Sequence, residues 1–205
     1  KKAIVDFLSD TYQDCDISIR YNGKILVYNA DFKVQDLDAQ GSLTITDSDV
    51  YVDGAFASAT FFATTLTNST MTVKGNQISG GLSDFAGGTS NQLGKVTLNN
   101  SSITIEDGDT KVAANVTATN SEIDVNSLTI NSGKKLTLEK GSTLASESLT
   151  SNGTIVLNDG STIDAEEIVS GGTVTIDGVE ATIEDNVLYY PVADFNALKA
   201  AVEAG

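Results

Sequence analysis

The chain has no histidine and no tryptophan, and only one arginine, one proline and one cysteine among its 205 residues. Without histidine, serine and cysteine catalytic triads, the usual zinc sites and histidine acid–base catalysis are excluded. The single cysteine, Cys15, cannot form an internal disulfide. No apolar run approaches the roughly 20 residues that a membrane-spanning helix needs. These absences remove most of the common catalytic and metal-binding arrangements.

Basic residues are also scarce, with 12 Lys and Arg against 28 Asp and Glu, which gives a net charge of −16. A polyanion of this kind is repelled by phosphate backbones and by anionic lipid. We therefore expect no nucleic-acid partner and no membrane insertion. The apolar stretch at 3–8 is too short and too acidic for a signal peptide. The chain is expected to be part of a larger multi-module protein or assembly.

What the sequence does contain is a repeat. A turn motif, Asp/Asn/Gly–Ser–any–aliphatic, recurs along the chain, with its aliphatic positions 21, 32, 20, 21, 19 and 20 residues apart. Those aliphatic positions are Val50, Met71, Ile103, Ile123, Leu144, Ile163 and, in a degenerate copy, Ile183. A fixed period is the signature of a solenoid, and the period of about 20 is too short for the helical repeats of 33–34 residues.

Each period contains three short strands. An aliphatic–Thr–aliphatic triplet such as Leu136-Thr137-Leu138 precedes the turn, the turn opens a second strand, and a third follows about five residues later. Alternation with period two indicates strands with one buried face. Three strands per period predict one turn of a single-stranded parallel β-helix. Thr137 is expected to point outward, and two columns are expected to stack inward: Val96, Val116, Leu136, Ile155 and Val174 in one, and Ile103, Ile123, Leu144, Ile163 and Ile183 in the other.

The distribution of aromatic residues favours the same architecture. No Phe or Tyr occurs between Ala86 and Leu188. A narrow coil filled by stacked Val, Ile and Leu needs no aromatic side chain, whereas the core of a β-sandwich usually uses several. The sequence therefore predicts an all-β solenoid rather than a sandwich. The run Phe56–Phe62 in the N-terminal third is interpreted as buried strand rather than as a sugar-stacking platform.

The two ends depart from the repeat. Residues 1–40 are predicted to form an N-terminal cap, with a helix at Ala3–Ser9 and a β-hairpin that turns at Asn22-Gly23 between Ile17–Tyr21 and Lys24–Tyr28. The parallel β-helix is assigned to residues 41–191. In residues 192–205, Asp194 can cap a helix that starts at Phe195 and stops at Gly205. This helix is either a C-terminal cap or the start of a further module.

The spacing of 32 residues marks an insertion rich in glycine, assigned to 75–94. Such a stretch is typical of a long loop that bulges from one turn of a solenoid, where recognition residues are often found. Its candidate ligand-contact residues are Asn76, Gln77, Asp84, Phe85, Asn91 and Gln92. A tolerated insertion without a role is the alternative.

Two segments carry a resemblance to known proteins. The Gly153–Ile163 turn, rich in Thr, Ser and Asn, resembles those of bacterial surface β-helix proteins, including autotransporter passengers and large adhesins. The segment Phe195–Gly205 resembles the short helix that introduces pectate-lyase-like β-helices. The resemblance implies a right-handed parallel β-helix at the cell surface, outside the cell. Our first hypothesis is a non-catalytic structural or adhesion module, a rigid rod of a bacterial surface protein, with a host or cell-surface glycan or protein as its expected partner and no cofactor.

Two alternatives remain open. The pectate-lyase-like family is rich in polysaccharide enzymes, and acids recur in the second strand as Asp124, Asp164 and Glu184. However, Thr72, Thr104 and Ser146 are read as occupying the equivalent places in other turns, so no carboxylate pair lies one turn apart, as glycoside hydrolysis needs. The acidic turn Glu106–Asp109 lacks the spacing of a calcium-binding repeat.

An ice-binding solenoid is the weaker alternative. A column of outward threonines is predicted on one strand of each turn: Thr44, Thr97, Thr117, Thr137 and Thr175. A second, parallel column is interrupted by Asn99, Glu139, Asn158 and Asp177. The preference of β-branched residues for strands explains such a column without any ligand.

Overall fold

The computed structural model of the protein describes residues 6–7, 11–12, 17–19, 22–75, 91–185 and 187–189, with side chains from residue 17 onward. Every regular element in this part of the chain is a β-strand. The first twelve strands are β1 Asp6–Phe7, β2 Thr11–Tyr12, β3 Ile17–Ile19, β4 Lys24–Tyr28, β5 Asp31–Val34, β6 Leu37–Ala39, β7 Ser42–Thr46, β8 Asp49–Val52, β9 Phe56–Ser58, β10 Ala63–Thr67, β11 Thr70–Val73 and β12 Asn91–Leu93. The others are β13 Lys95–Asn99, β14 Ser102–Val112, β15 Val116–Thr119, β16 Glu122–Ile130, β17 Lys135–Glu139, β18 Thr143–Ser151, β19 Thr154–Leu157, β20 Thr162–Ser170, β21 Thr173–Ile176, β22 Val179–Glu180, β23 Thr182–Glu184 and β24 Val187–Tyr189.

The strands stack into a solenoid with three faces. The first face is formed by β1, β4, β7, β10, β13, β15, β17, β19 and β21, in that order. The second face contains β2, β5, β8, β11 and the N-terminal halves of β14, β16, β18 and β20, whose C-terminal halves join β3, β6, β9 and β12 in the third face. Seven consecutive turns of the described chain begin at β4, β7, β10, β13, β15, β17 and β19. The parallel β-solenoid predicted from the repeat is confirmed.

Aliphatic side chains fill the interior in stacked columns. Val96, Val116, Leu136, Ile155 and Val174 pair in sequence along the first face, and all five are buried, so the first predicted column is confirmed. Ile103, Ile123, Leu144 and Ile163 pair in the same way along the second face. Each fully buried aliphatic side chain contributes roughly 1.5–3 kcal/mol. Thr137 lies in the outward column but is only 7% exposed, with Thr117 and Val156 paired to it on either side.

The corner between the first and second faces is held by a ladder of serine hydroxyls, which we call the serine ladder. Each Oγ accepts the N–H of the residue at the same corner of the preceding turn, at 3.0–3.2 Å. The same hydroxyl donates to a carbonyl two or three residues earlier in its own turn, at 2.5–2.8 Å. The ladder comprises Ser48, Ser69, Ser101, Ser121, Ser142 and Ser161. It explains why serine follows the turn residue in the sequence motif.

The residue before each serine has a left-handed backbone. Asp47, Asn68, Asn100 and Asn120 have φ of 47–48°, a conformation that Asn and Asp adopt more readily than other non-glycine residues. Their side chains form a second ladder, in which the Nδ2 of each asparagine donates to the Oδ1 of the preceding turn at 2.9–3.2 Å. The Asn and Asp of the motif therefore set both the bend of the chain and its stacking.

The N-terminal cap predicted from the sequence is wrong in both parts. Asp6–Phe7 is a strand that pairs parallel to β4, and the rest of the predicted helix lies outside the described residues. The backbone pairing offered by β4 outweighs the local helical spacing, as tertiary context often does. The predicted hairpin is also not formed, because β3 pairs with β6 while β4 pairs with β1 and β7, all parallel. The solenoid therefore starts before residue 41.

Backbone geometry at the predicted hairpin turn explains the second error. A type I′ hairpin turn needs positive φ at both central residues. Asn22 has φ of 62°, whereas Gly23 is not among the residues with positive φ. The chain therefore turns a corner from the third face to the first face instead of reversing its direction.

The C-terminal end of the solenoid does contain hairpins. Asp177 and Gly178 both have positive φ, 49° and 81°, and β22 runs antiparallel to β21. Ile183 pairs with Leu188 between β23 and β24, so its predicted place below Ile163 is wrong. At the earlier turn, Asp159-Gly160, the next residue is Ser161 of the serine ladder. After Gly178 the next residue is Val179, which has no hydroxyl to continue the ladder. The predicted helix at 195–204 lies outside the described residues.

The register of the core can be tested with one inward and one outward substitution. Leu136→Ala is expected to lower the free energy of unfolding by about 2–5 kcal/mol, because it leaves a cavity among close-packed side chains. Thr117→Ala, on the outer side of the same face, should cost less than about 1 kcal/mol. Denaturant unfolding of both variants gives the comparison. Equal losses would contradict the register.

The serine ladder can be tested with two neighbouring serines. Ser101→Ala removes the acceptor of the Ser69 N–H and leaves this buried donor unpaired, which should cost about 1–3 kcal/mol. Ser102 makes no side-chain hydrogen bond within the described chain and points outward, so Ser102→Ala should change stability by no more than about 0.5 kcal/mol. Chemical denaturation measures both. A Ser101→Ala variant as stable as Ser102→Ala would show that the ladder contributes nothing.

Candidate functional site

A concave surface lined by several carboxylates lies where the second face meets the third. Four long strands, β14, β16, β18 and β20, bend around this corner, and a groove of about 470 Å³ follows the bend. We call it the acidic groove. It is lined by Thr104, Ile105, Glu106, Asp124, Val125, Asn126, Ala145, Ser146, Glu147, Asp164 and Glu166.

The acidic groove carries five carboxylates from four consecutive turns, and no Lys or Arg lines it. Asp124 and Asp164 belong to one outward column, in which each pairs with Ala145. They therefore lie two turns apart, about 9.6 Å at the usual strand spacing. Glu147 and Glu166 lie in adjacent turns at the bend. The paired residues on either side of them are Ser146 with Ala165 and Ser148 with Glu167. All five carboxylates are exposed, so the groove has a concentrated negative potential.

This register corrects the sequence-based placement of the acids. Ser146 was read as the equivalent of Asp124 and Asp164, but it pairs with Val125 and is buried. Its hydroxyl donates to the carbonyl of Ser148 at 2.8 Å. Because side chains alternate along a strand, a shift of one residue moves a side chain to the opposite face. Glu184 is not part of the groove, since it pairs with Val187 in the C-terminal hairpin.

The groove geometry limits the chemistry available to its carboxylates. A retaining glycosidase places its two carboxyl groups about 5–5.5 Å apart, and an inverting one about 6.5–9.5 Å apart. The two-turn distance between Asp124 and Asp164 approaches the wider arrangement, and Glu147 and Glu166, which lie one turn apart, approach the narrower one. Among the described side chains, no group of three or more His, Cys, Asp or Glu is arranged to hold a metal ion. The groove is thus best suited to contacts with cationic or hydrogen-bonding groups along its length.

The N-terminal end of the second face has a different character. The amines of Lys33 and Lys74 lie 4.7 and 5.8 Å from the centre of the Tyr51 ring, distances at which cation–π attraction acts. Lys33 also forms an ion pair with Asp53 at 3.2 Å. The hydrogen bond between Lys74 and Tyr51, together with the nearby carboxylates of Glu106 and Asp53, raises the pKa of the Lys74 amine. The ring faces are therefore engaged by lysines, which leaves little room for a sugar to stack.

The predicted contact residues of the glycine-rich insertion divide into two groups. Asn76, Gln77, Asp84 and Phe85 lie outside the described residues. Asn91 is buried at the start of β12, where its Oδ1 accepts from the Phe56 N–H at 3.1 Å and its Nδ2 donates to the Asp107 carbonyl at 3.2 Å. Gln92 is half-buried and donates to the Ser58 carbonyl. The structure thus places Asn91 and Gln92 in the third face, and the interruption of the ladder ends before the predicted Gly94.

Both ends of the insertion meet at one point. Asn91 binds the Asp107 carbonyl, and a Cβ added to Gly75 would lie only 1.7 Å from the same oxygen. Gly75 has φ of 75°, so both its conformation and its close contact require glycine. The solenoid therefore continues from β11 to β12 across a short gap, as expected for an insertion that leaves the stacking intact.

Three aromatic side chains of the described residues are exposed, and one of them, Tyr189, lies in the C-terminal strand β24. Phe61 is 85% exposed at the corner from the third to the first face, and Tyr28 is 57% exposed at the end of β4. The interpretation of the Phe56–Phe62 run as buried strand holds for Phe56, which is fully buried in β9, but not for Phe61. The sequence does indicate that Phe61 is exposed, because this residue lies outside the period-two alternation of the neighbouring strands.

Repulsion within the acidic groove gives a testable salt dependence. Glu147→Gln removes one of two like charges in adjacent turns, and it should raise the free energy of unfolding by about 0.2–1 kcal/mol at low ionic strength. The gain should disappear near 1 M salt, where the Debye length is only about 3 Å. Thermal melts at several salt concentrations give the measurement. Glu180→Gln, outside the groove, is the matched control, and an equal gain in both variants would argue against groove repulsion.

Comparison with models of protein families, with curated proteins and with solved structures finds no match to this chain. The described residues include no helix of the length and apolarity that crossing a membrane requires. The interpretation of the groove and faces therefore depends on their own geometry and chemistry.

Proposed function

We propose that the chain is a non-catalytic structural and adhesion module, a rigid rod displayed on a bacterial cell surface that binds a glycan or protein. The observation that carries the proposal is the continuity of stacking through seven turns, in which the faces and the serine ladder hold every turn to the next. At the usual strand spacing this rod is about 34 Å long. Backbone groups paired in this way resist local opening, and hence proteolysis.

The charge of the rod supports a surface role and restricts its partner. A net charge of −16 keeps a repetitive β-protein soluble and disfavours edge-to-edge association. The acidic groove repels polyanions, so a neutral or basic partner fits it better. Phe61 adds an exposed apolar side chain at the corner between the third and first faces, of the kind that anchors a protein or sugar contact. An extracellular setting agrees with a surface rich in Thr, Ser and Asn.

A polysaccharide-active enzyme is the second candidate function. It is favoured by one observation, the gathering of Asp124 and Asp164 with Glu147 and Glu166 in one groove. Against it stand the two-turn separation of the aspartates and the lack of any basic side chain lining the groove to bind an acidic substrate. The two candidates therefore differ in an observable way, since one binds without turnover and the other cleaves.

A binding and cleavage test separates them. The purified chain is applied to an array of neutral, basic and acidic glycans and surface proteins, and is incubated with acidic polysaccharides with and without calcium. We expect selective binding to at least one neutral or basic probe and no cleavage. Cleavage by the parent chain that is lost in Asp124→Asn/Asp164→Asn, but kept in Glu180→Gln, would overturn the proposal in favour of the enzyme.

The insertion can be examined in the same assay. Residues 76–90 are replaced by a linker of about six residues, which closes the gap between Gly75 and Asn91 at little entropic cost. The variant is expected to retain its melting temperature and β-type circular dichroism, and to lose array binding if the insertion is the recognition element. Loss of folding would contradict the role of 76–90 as an insertion outside the ladder. Unchanged binding would locate recognition on the rod itself.

A further inference from the structure

The outer side of the first face carries an unbroken column of threonines. Five consecutive turns contribute the central outward residue of β7, β10, β13, β15 and β17, and each pairs directly with the next. These residues are Thr44, Thr65, Thr97, Thr117 and Thr137. We call this row the threonine column. Its members are spaced by the strand separation, about 4.8 Å.

The structure adds a member that the sequence pattern missed. Thr65 was not in the predicted column, because Thr64 replaces the usual aliphatic residue before it. Thr64 nevertheless points inward and is fully buried, and Thr65 pairs with Thr44 and Thr97. The insertion that follows in the chain therefore does not interrupt the column.

A second row lies beside the column, two residues further along each strand. Thr46, Thr67, Asn99 and Thr119 are consecutive in it, before Glu139 ends the run. Residues two apart on a strand lie about 6.6 Å apart. Thr-x-Thr pairs thus occur in β7, β10 and β15, and together the two rows form a regular grid of hydroxyl and methyl groups.

The hydroxyls of the threonine column have no protein partner in the described part of the chain, and four of the five threonines are half-buried, whereas Thr137 is only 7% exposed. Within the described residues, none of the five makes a side-chain hydrogen bond to the protein, whereas the serine hydroxyls at the neighbouring corner are all engaged. In the second row, only the Thr119 hydroxyl reaches a protein group, the carboxylate of Glu139 at 3.5 Å. The column thus presents unused donors and acceptors at fixed intervals.

The column is also free of charge, although the chain has a net charge of −16. From Leu26 through Thr175, every central outward residue of the first face is Thr, Leu or Val. The acids gather instead on the second face, and the nearest charges on the first face are Lys95 and Lys135 at the strand starts and Glu139 in the second row. A neutral surface on a highly charged rod matches a neutral ligand.

The geometry points to ordered water as that ligand, and we propose that the first face binds ice through the threonine column. Methyl groups restrict the orientation of the water beside them, and hydroxyls hydrogen-bond that water at fixed positions. A rigid, regular array of both can hold a water layer that joins a crystal lattice. Glycan stacking fits less well, because the exposed aromatics Tyr28 and Phe61 lie at the N-terminal end of this face. The turns that carry Thr97, Thr117 and Thr137 contain no aromatic side chain. This inference is independent of the adhesive partner proposed above.

The test uses the full chain and two lysine variants at outward strand positions. Thr117→Lys places a bulky charge in the middle of the threonine column. Thr150→Lys places the same charge on the third face, where Thr150 pairs with Thr129 and Val169. Partition of each protein into slowly grown ice and thermal hysteresis of its solutions are measured, after melting curves confirm folding. Thr97→Lys replaces Thr117→Lys if the latter fails to fold.

The parent and Thr150→Lys are expected to enrich in ice, and Thr117→Lys to lose at least about tenfold in ice affinity, which corresponds to about 1.4 kcal/mol. Exclusion of the parent from ice, to the extent shown by a non-binding acidic protein, would overturn the inference. Equal loss in both variants would also overturn it. Sedimentation would overturn it as well if parent molecules associate and Thr117→Lys separates them, because a second copy of the chain would then cover the threonine column.

Discussion

The hydroxyl of one serine in each turn connects that turn to the one before it, and the rest of the solenoid depends on this connection. Ser101 accepts the Ser69 N–H and donates to the Asn99 carbonyl, so one side chain satisfies two backbone groups at a buried corner. A corner without such a partner would leave the Ser69 N–H unpaired, at a cost of about 1–3 kcal/mol, whereas the Asn99 carbonyl also accepts the Asn68 N–H. The short strands on either side could not compensate for that loss by themselves.

Stacking at the corner also explains where the solenoid ends. Through Ser161 each turn enters the second face beside its predecessor, whereas the segment after Gly178 reverses along β21. After Gly178 the chain continues with Val179, so the position that Ser161 occupies after Gly160 has no hydroxyl. Without it, two residues with positive φ form an ordinary two-residue hairpin. The same turn residues thus give a solenoid corner or a hairpin, according to the residue that follows them.

The three faces divide the chemistry of the surface. Carboxylates gather on the second face in the acidic groove, lysines surround Tyr51 at its N-terminal end, and the first face presents neutral threonines. Because all three faces share one narrow aliphatic core, their outward residues can vary without disturbing the stacking. A rod of this kind can therefore carry different contacts on different sides, which suits a module of a surface protein better than a single enclosed active site.

The sequence by itself determined the architecture, because the period of about 20, the two-residue alternation and the Asn-Ser corner are local patterns that appear in every turn. Only the tertiary structure decided how the irregular parts pair. Lys24–Tyr28 follows an Asn-Gly signal for a hairpin but pairs parallel to β1 and β7, and Thr65 joins a column that its own triplet does not predict. The positions of Ala145 and Ser146 likewise depend on a one-residue register. Pairing between turns joins residues some 20 apart, and its register depends on the neighbouring turns, which a local pattern does not contain.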